Sequence, residues 1–348
     1  MDKTMFSRFP KAKLGFYPTP LHKLETISAE TGVNVYIKRE DFSGVSLFGG
    51  NKIRKLEYLL GAAKEAGAEY VFTYGATQSN HAMETASACR RCGLKPVLFL
   101  YALIEPNEDD LRGNLMLDQL YGADIHITLP KPGETPAQLK SRNNDEGRAF
   151  RQALEAQGHI CWDIPVGGAT ALGSVAFAEC FGELEDQMNA LGEHMDYLFH
   201  ATGSGGTLAG LQAGKKLCGS DAKIVSIHVN AKGPEYRDQV VAMANETLGL
   251  LEAPAGLQVT AEDVCLDLNY YLPGYEQPNE ASTEAIRTLA RKEGLLVDPV
   301  YTGKGLAGML DYLHTGRVAP GSTVVFLHTG GATALFAEKQ ILGDLLKG

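Results

Sequence analysis

The chain has 348 residues, 44% hydrophobic and 21% charged, with a formal net charge of −10. That is the balance of a soluble globular protein long enough for two domains, and its acidic excess argues against a nucleic-acid partner, which needs a basic face. No apolar run reaches the length of a membrane span, and the first residues lack the apolar core of a signal peptide, so no membrane partner and a cytoplasmic location are expected.

Strand and helix patterns alternate along the chain. A β-rich run at 33–38 precedes a helix that starts near Lys52 and ends at Gly67. Strands are predicted at 70–74, 96–100, 124–128, 159–164, 197–201, 223–229 and 323–327. Helices are predicted at 79–92, 113–121, 136–157, 170–191, 207–217, 279–294 and, closing the chain, 332–346. The region 231–274 reads as less regular. Such alternation predicts α/β architecture with mostly parallel sheets covered on both faces. Ligands then sit at the carboxyl ends of strands, in the loops before helices.

Six cysteines are spread without framework spacing, which predicts reduced thiols in so large a chain. Cys89 and Cys92 form a lone Cys-x-x-Cys. A zinc site would need a second pair, so no metal is expected. Arg90 and Arg91 would lower a thiol pKa in a redox pair. The plainer reading is a helix end stopped by Gly93.

The strand-to-helix loops carry the chemistry. Gly49-Gly50-Asn51-Lys52 places a lysine at a helix start just past a glycine turn. A helix N-terminus disfavours a cation, and Arg54 and Lys55 lie close by; all three influences push the Lys52 amine toward its neutral, nucleophilic form. In 76–81, the side chains of Thr77, Gln78, Ser79, Asn80 and His81 meet free helix N–H groups at a strand end, which suits a carboxylate. Ser79 can also relay a proton. In 202–207, three glycines alternate with Thr202, Ser204 and Thr207 to open a helix, a phosphate cradle. The spacing is not Gly-x-Gly-x-x-Gly, because Leu208 stands at the third glycine position, and the following strand ends in Asn230 rather than an acid. One phosphate therefore fits better than a dinucleotide. Tyr301, read as a strand-end residue beside glycines, and Tyr275, among turn residues, are candidate phenols facing a pocket. His328-Thr329-Gly330-Gly331 allows close backbone approach to a ligand. Together these are the needs of a pyridoxal-phosphate enzyme acting on amino acids.

Taken with Tyr17-Pro-Thr-Pro20, Ile37-Lys-Arg-Glu-Asp41, Ile164-Pro-Val-Gly-Gly168 and Asp298–Lys304, these motifs resemble, nearly end to end, the D-cysteine desulfhydrase and 1-aminocyclopropane-1-carboxylate deaminase family of the tryptophan-synthase-β-like, fold-type II pyridoxal-phosphate enzymes. The resemblance implies two open twisted sheets with pyridoxal 5′-phosphate in the interdomain cleft. It implies a large cofactor-binding domain from 1–55 and 162–348, a small one from 56–161, and a homodimer. Lys52 is implied as the Schiff-base lysine, Asn80 as a contact to the ring hydroxyl, Thr202, Gly203, Ser204, Gly205, Gly206 and Thr207 as the phosphate loop, and Thr329 as the group facing the pyridine nitrogen. Gln78, Ser79, Asn80 and His81 would receive the substrate, with Tyr275, Tyr301 and Thr302 on its other side. The catalytic set would be Lys52, Ser79 and Tyr301.

Deaminase members of the family carry Glu where this chain has Thr302 and Leu where it has Thr329; both positions here resemble the desulfhydrase branch. The expected reaction is β-elimination from a small Cβ-substituted amino acid, first D-cysteine, giving pyruvate, ammonia and sulfide. The alternatives are an L-cysteate sulfo-lyase releasing sulfite, a 1-aminocyclopropane-1-carboxylate deaminase, and a non-catalytic pyridoxal-phosphate-binding protein. A sulfonate calls for an added cation, and Met83 stands where many relatives have an arginine.

Overall fold

The structure, a computed structural model, describes residues 2–44, 49–107 and 109–346; the expected domain bounds at 1 and 348 lie outside these. In chain order the strands are β1 (Leu21–Lys23), β2 (Asn34–Arg39), β3 (Tyr70–Ala76), β4 (Lys95–Tyr101), β5 (Asp124–Thr128), β6 (Cys161–Ile164), β7 (Tyr197–Thr202), β8 (Lys223–His228), β9 (Cys265–Asp267) and β10 (Thr323–His328). The helices are α1 (Glu25–Thr31), α2 (Asn51–Glu65), α3 (Asn80–Cys92), α4 (Gly113–Leu120), α5 (Pro136–Ala156), α6 (Ala171–Ala190), α7 (Gly206–Cys218), α8 (Tyr236–Leu250), α9 (Glu280–Glu293), α10 (Thr302–His314) and α11 (Lys339–Leu342).

The strands form two sheets. One has six strands in the order β1-β2-β10-β7-β8-β9, the other four in the order β5-β4-β3-β6. Of the strand pairs among the described residues, only β1–β2 is antiparallel. Both faces of the larger sheet are covered, and the strand alternation shows it. Leu198, Val325 and Leu327 point into a core with α6, α7 and α8, while Phe199, Val324 and Phe326 point into a second core with α1, α9 and α10. In the smaller sheet, Phe72, Tyr74, Val97 and Phe99 meet Phe150 and Leu154 of α5, and Val71 and Leu98 face the opposite side. No helix among the described residues is long and apolar enough to cross a membrane.

Three expectations change. The region 231–274 holds α8, whose buried Tyr236, Val240, Ala244, Thr247 and Leu248 follow helical spacing; Pro234, Gly249 and interspersed polar residues masked it. Residues 296–301 form no strand, and Tyr301 is instead the N-cap of α10, which the sequence reading missed. Its glycines read as breakers, yet they let the helix approach its neighbours: a Cβ on Gly308 would lie 2.6 Å from Ile227 Cδ1. The closing helix at 332–346 is broken into a 3-10 turn, Ala332–Phe336, and α11. Glu338 is extended between them (φ −61°, ψ 147°).

Two elements run across the expected domain bounds. The four-stranded sheet takes Cys161–Ile164 as an edge strand, so a cut at 161 falls inside it. A cut after 55 would divide α2, one continuous helix packed against both α3 and α6.

Candidate active site

The carboxyl ends of β3, β6, β7 and β10 open onto one cavity of about 1110 Å³. Lys52 is held there through its neighbours. Gly50 bridges Gly330, and the Asn51 N–H donates to the Thr329 carbonyl (3.0 Å), so α2 starts against the end of β10. Asn51 Nδ2 donates to Thr207 Oγ1 (2.9 Å), and Asn51 Oδ1 accepts from Lys52 Nζ (2.7 Å). The amine lies 6.0 Å from the Tyr301 ring centroid.

Burial, rather than the neighbouring cations, is the main influence pushing the Lys52 amine below its ordinary pKa, opposed by the charges of Glu84 and Asp298. Arg54, expected to add to the push, turns away: it pairs with Glu40 (2.6 Å) and Glu183 (2.8 Å). The α2 N-terminus is also compensated. Glu84 of α3, fully buried, accepts the Ile53 N–H (3.0 Å), and burial raises its carboxyl to about 7. An acid from a second helix thus caps the end that lacks a cap of its own.

The loop after β3 contributes Ser79, Asn80 and His81 to the cavity wall. Ser79 Oγ accepts the Ala82 N–H (3.2 Å) as the α3 N-cap. Its hydroxyl proton has no acceptor among the described residues. Asn80 Oδ1 accepts from Asn114 Nδ2 (2.7 Å) and Thr333 Oγ1 (3.3 Å), which orients its amide and leaves Nδ2 as the donor. Thr73 Oγ1 donates to the Ile164 carbonyl (2.9 Å), so His81 Nε2 is the donor in its 2.9 Å bond to that hydroxyl. Burial, then Lys52 and Lys55, pushes His81 well below its usual pKa, and Nδ1 is left without a partner. Gln78 is not in the cavity wall. Its amide donates to the Arg112 carbonyl (3.1 Å) and to Glu338 (3.1 Å), and its Oε1 accepts the Asn114 N–H (2.8 Å), so it ties the small sheet to the C-terminal segment.

In the loop after β7, Thr202, Gly203, Ser204, Gly205 and Thr207 line the cavity. Gly206 lies behind it, where a Cβ would come within 2.9 Å of Ala169 Cα and 3.1 Å of Lys55 Nζ. The α7 N-terminus carries no side-chain cap, so its N–H groups are open to an anion. Lys55, one turn on from Lys52, is read in the sequence only as a neighbouring cation and not as part of the site. It is buried, donates to the Gly167 carbonyl (3.1 Å), and is pushed well below its usual pKa by burial and by Lys52.

On the far side, Tyr275 and Tyr301 line the cavity with their hydroxyls 2.6 Å apart, both pKa values raised by burial. Thr329 also lies in the wall. Thr302 does not: it is fully buried, and its hydroxyl donates to Asp298 Oδ1 (2.5 Å). Asp298 accepts besides from the N–H groups of Val300, Tyr301 and Thr302 (2.8, 2.7 and 2.7 Å). This second buried carboxylate, and Lys304, whose ammonium donates to the Tyr271 (3.2 Å) and Gly274 (2.6 Å) carbonyls, were also missed. Helical spacing held a signal for two of the residues not read as part of the site: Lys55 lies three residues from Lys52, and Glu84 four from Asn80. Met83 is buried and outside the cavity wall. Cys89 and Cys92 are free, with thiol pKa values raised by burial rather than lowered, and Arg90 turns to the Tyr121 and Gly122 carbonyls. Among the described residues no group of three or more His, Cys, Asp or Glu is placed to hold a metal.

One buried amine facing a cavity, an uncapped helix N-terminus lined with glycines and hydroxyls, and a free amide donor between them suit an aldehyde-bearing phosphate. Comparison with known proteins agrees. Residues 12–330 match the family of pyridoxal-phosphate dependent enzymes. The chain is 36% identical to a D-cysteine desulfhydrase of Klebsiella pneumoniae (strain 342), over 97% of this chain and 98% of that one. It is 35% identical to a putative 1-aminocyclopropane-1-carboxylate deaminase of Pyrococcus abyssi, over 98% of each. A crystal structure of an ACC deaminase homologue superposes with a TM-score of 0.84 at 32% identity, covering 97% of both chains. A threonine deaminase of Solanum lycopersicum shares the fold (TM-score 0.61, 17% identity, 95% and 85% covered). The chain is a pyridoxal-phosphate-dependent enzyme of the fold-type II group that includes D-cysteine desulfhydrases and 1-aminocyclopropane-1-carboxylate deaminases.

Proposed function

We propose that the protein catalyses β-elimination from a small Cβ-substituted amino acid, D-cysteine before others, giving pyruvate, ammonia and sulfide. The observation that carries this reading is the contrast between Thr329, in the cavity wall, and Asp298, outside it. Thr329 offers a hydroxyl to the cavity, whereas Asp298, the carboxylate behind Gly331, is turned into the α10 N-terminus with four donors on it. A hydroxyl at the ring nitrogen withdraws electrons less than a carboxylate that holds the nitrogen protonated. That suffices to expel a good leaving group such as sulfur, while opening a strained carbon ring demands more.

Bound pyridoxal phosphate supplies an electron-withdrawing ring that stabilises negative charge at the substrate Cα. In this reading Lys52 anchors it, Asn80 Nδ2 donates to its ring hydroxyl, and residues 202–207 hold its phosphate. Lys52, its pKa lowered by burial, is the base for the Cα proton, with Ser79 as relay. The substrate carboxylate is seated by the Ser79 hydroxyl and the first N–H groups of α3; His81, held neutral with Nε2 engaged by Thr73, orients that turn. Tyr275 and Tyr301 face the leaving group. The Cβ–S bond breaks with its electron pair on sulfur, and water replaces nitrogen in the unsaturated product. A homodimer in the cytoplasm belongs to the same reading.

The test is pyruvate and sulfide release from D-cysteine by the holoprotein, with Lys52→Ala as control. The same panel reads sulfite from L-cysteate and 2-oxobutanoate from the cyclopropane amino acid. No pyruvate from any Cβ-substituted amino acid would sink the proposal; 2-oxobutanoate alone would assign the deaminase activity.

A further inference from the structure

Helix α5 presents two adjacent stripes. Leu139, Asn143 and Gly147 pack toward the small sheet, and the neighbouring Lys140, Asn144, Arg148 and Arg151 line the cavity. From the opposite wall comes Lys232, in the loop between β8 and α8. The arginines have partners: Arg148 pairs with Asp145, and Arg151 lies 3.5 Å from Glu155 and 3.7 Å from Asp163. The two lysines have none; neither ammonium forms an ion pair among the described residues, although Glu235 is also in the wall. Lys232 is half-buried with Nζ 4.9 Å from the Tyr236 ring centroid, and Tyr236 in turn bonds Thr202 of the phosphate loop (3.0 Å). Burial and the nearby Lys140 push the Lys232 amine down to about 8. Two unpaired cations thus line one cavity from different walls, in a chain whose net charge is −10. An anion between them would relieve that repulsion, and a cleft of one sign concentrates ligands of the other.

We propose that Lys140 and Lys232 form an anion-recruiting pair at the cavity mouth that selects small amino acids of net negative charge, those with a thiolate, sulfonate or carboxylate side chain. This deepens the elimination reading and rests on it. A neutral zwitterion gains nothing from the pair; a substrate carrying one more negative charge does. Met83, buried away from the cavity, plays no part in this choice.

The experiment compares the holoprotein with K140Q/K232Q and with K140R/K232R. Its readout is the ratio of kcat/KM for cysteate (net charge −1) to that for β-chloroalanine (net charge 0), each as both enantiomers, at low and high salt. The expected result is a ratio about tenfold lower in the glutamine variant at low salt, recovered by the arginine variant, with added salt lowering the ratio in the parent and the arginine variant but not in the glutamine variant. An unchanged ratio overturns the proposal. So does a variant whose only change is slower recombination with free pyridoxal phosphate, which would assign the pair to the cofactor. If the parent makes pyruvate from neither compound, D-cysteine decides the elimination reading, which fails on its own account only if that too yields none. The lysine pair is then judged by binding of cysteate against alanine, read from cofactor absorbance: a tenfold fall in relative affinity supports it and an unchanged value overturns it.

Discussion

Glu84→Gln separates the two duties of the acid that faces Lys52. The amide keeps an oxygen to accept the Ile53 N–H, so the α2 cap survives, while the charge opposing the burial of Lys52 is removed. A carboxylate at close range holds an amine up by about one to two pH units, so the Lys52 pKa should fall by that much. Recombination of apoprotein with pyridoxal phosphate reads this directly, because only the neutral amine adds to an aldehyde. The rate-against-pH curve of Glu84→Gln should lie one to two units to the acid side, about tenfold faster near neutral pH. Stability gives an independent check. Burial raises the folded-state pKa of Glu84 from 4.5 to about 7. Its contribution is therefore fully present below the unfolded value and is lost as pH rises through the folded one, by at most about 3 kcal/mol. The variant, having no such proton to lose, should gain on the parent between pH 5 and 8 in urea denaturation. Glu84→Ala, which leaves a buried N–H without an acceptor, should lose about 1–3 kcal/mol at every pH. A recombination curve unmoved by Glu84→Gln would refute the assignment of Glu84 as the charge that counters burial.

Lys304→Met should uncouple the Tyr271–Gly274 segment from α10. The loss of two buried bonds should cost about 2–4 kcal/mol in urea denaturation and raise KM more than it lowers kcat, because Tyr275 follows directly on that segment; equal kcat/KM would count against the loop's role. Glu276 is buried with neither oxygen hydrogen-bonded, and burial raises its carboxyl from 4.5 to about 8. Its stability contribution is present below the unfolded value and lost as pH rises through 8, so Glu276→Gln should flatten the fall in Tm between about pH 4.5 and 8, by at most about 5 kcal/mol of relative stability; parallel Tm curves would exclude it. Gly206→Ala places a methyl 2.9 Å from Ala169 Cα and should weaken pyridoxal-phosphate affinity at least tenfold, measured by equilibrium dialysis, with a stability loss of about 1–3 kcal/mol.

Much of the site was legible because its chemistry sits where one sequence pattern stops and another begins. Lys52, Ser79, Asn80 and the 202–207 loop all follow a strand or open a helix, and backbone N–H groups, glycines and hydroxyls are local signals. Residues acting across the fold were not legible. Glu84 acts on the end of a different helix, and Asp298 is placed by α10, a helix concealed by its own glycines. Gln78 and Thr302 stood in the right loops, but their side chains bond away from the cavity, and loop position does not report rotamer. Helix α8 shows the remaining difficulty: its buried stripe is regular, but polar residues, Pro234 just before it and Gly249 in its last turn break the composition on which a strand-helix reading leans.

Helix α2 packs on α3 from one side and α6 from the other, with Asn51 bonded to both Thr207 and the Thr329 carbonyl. The Lys52 amine therefore rides on the axle between the two sheets. In a rocking motion points on the axle move least and points at the rim move most. The Lys52–Thr207–Thr329 arrangement would keep its geometry through a swing that opens or narrows the distance between Lys140 on one wall and Lys232 on the other.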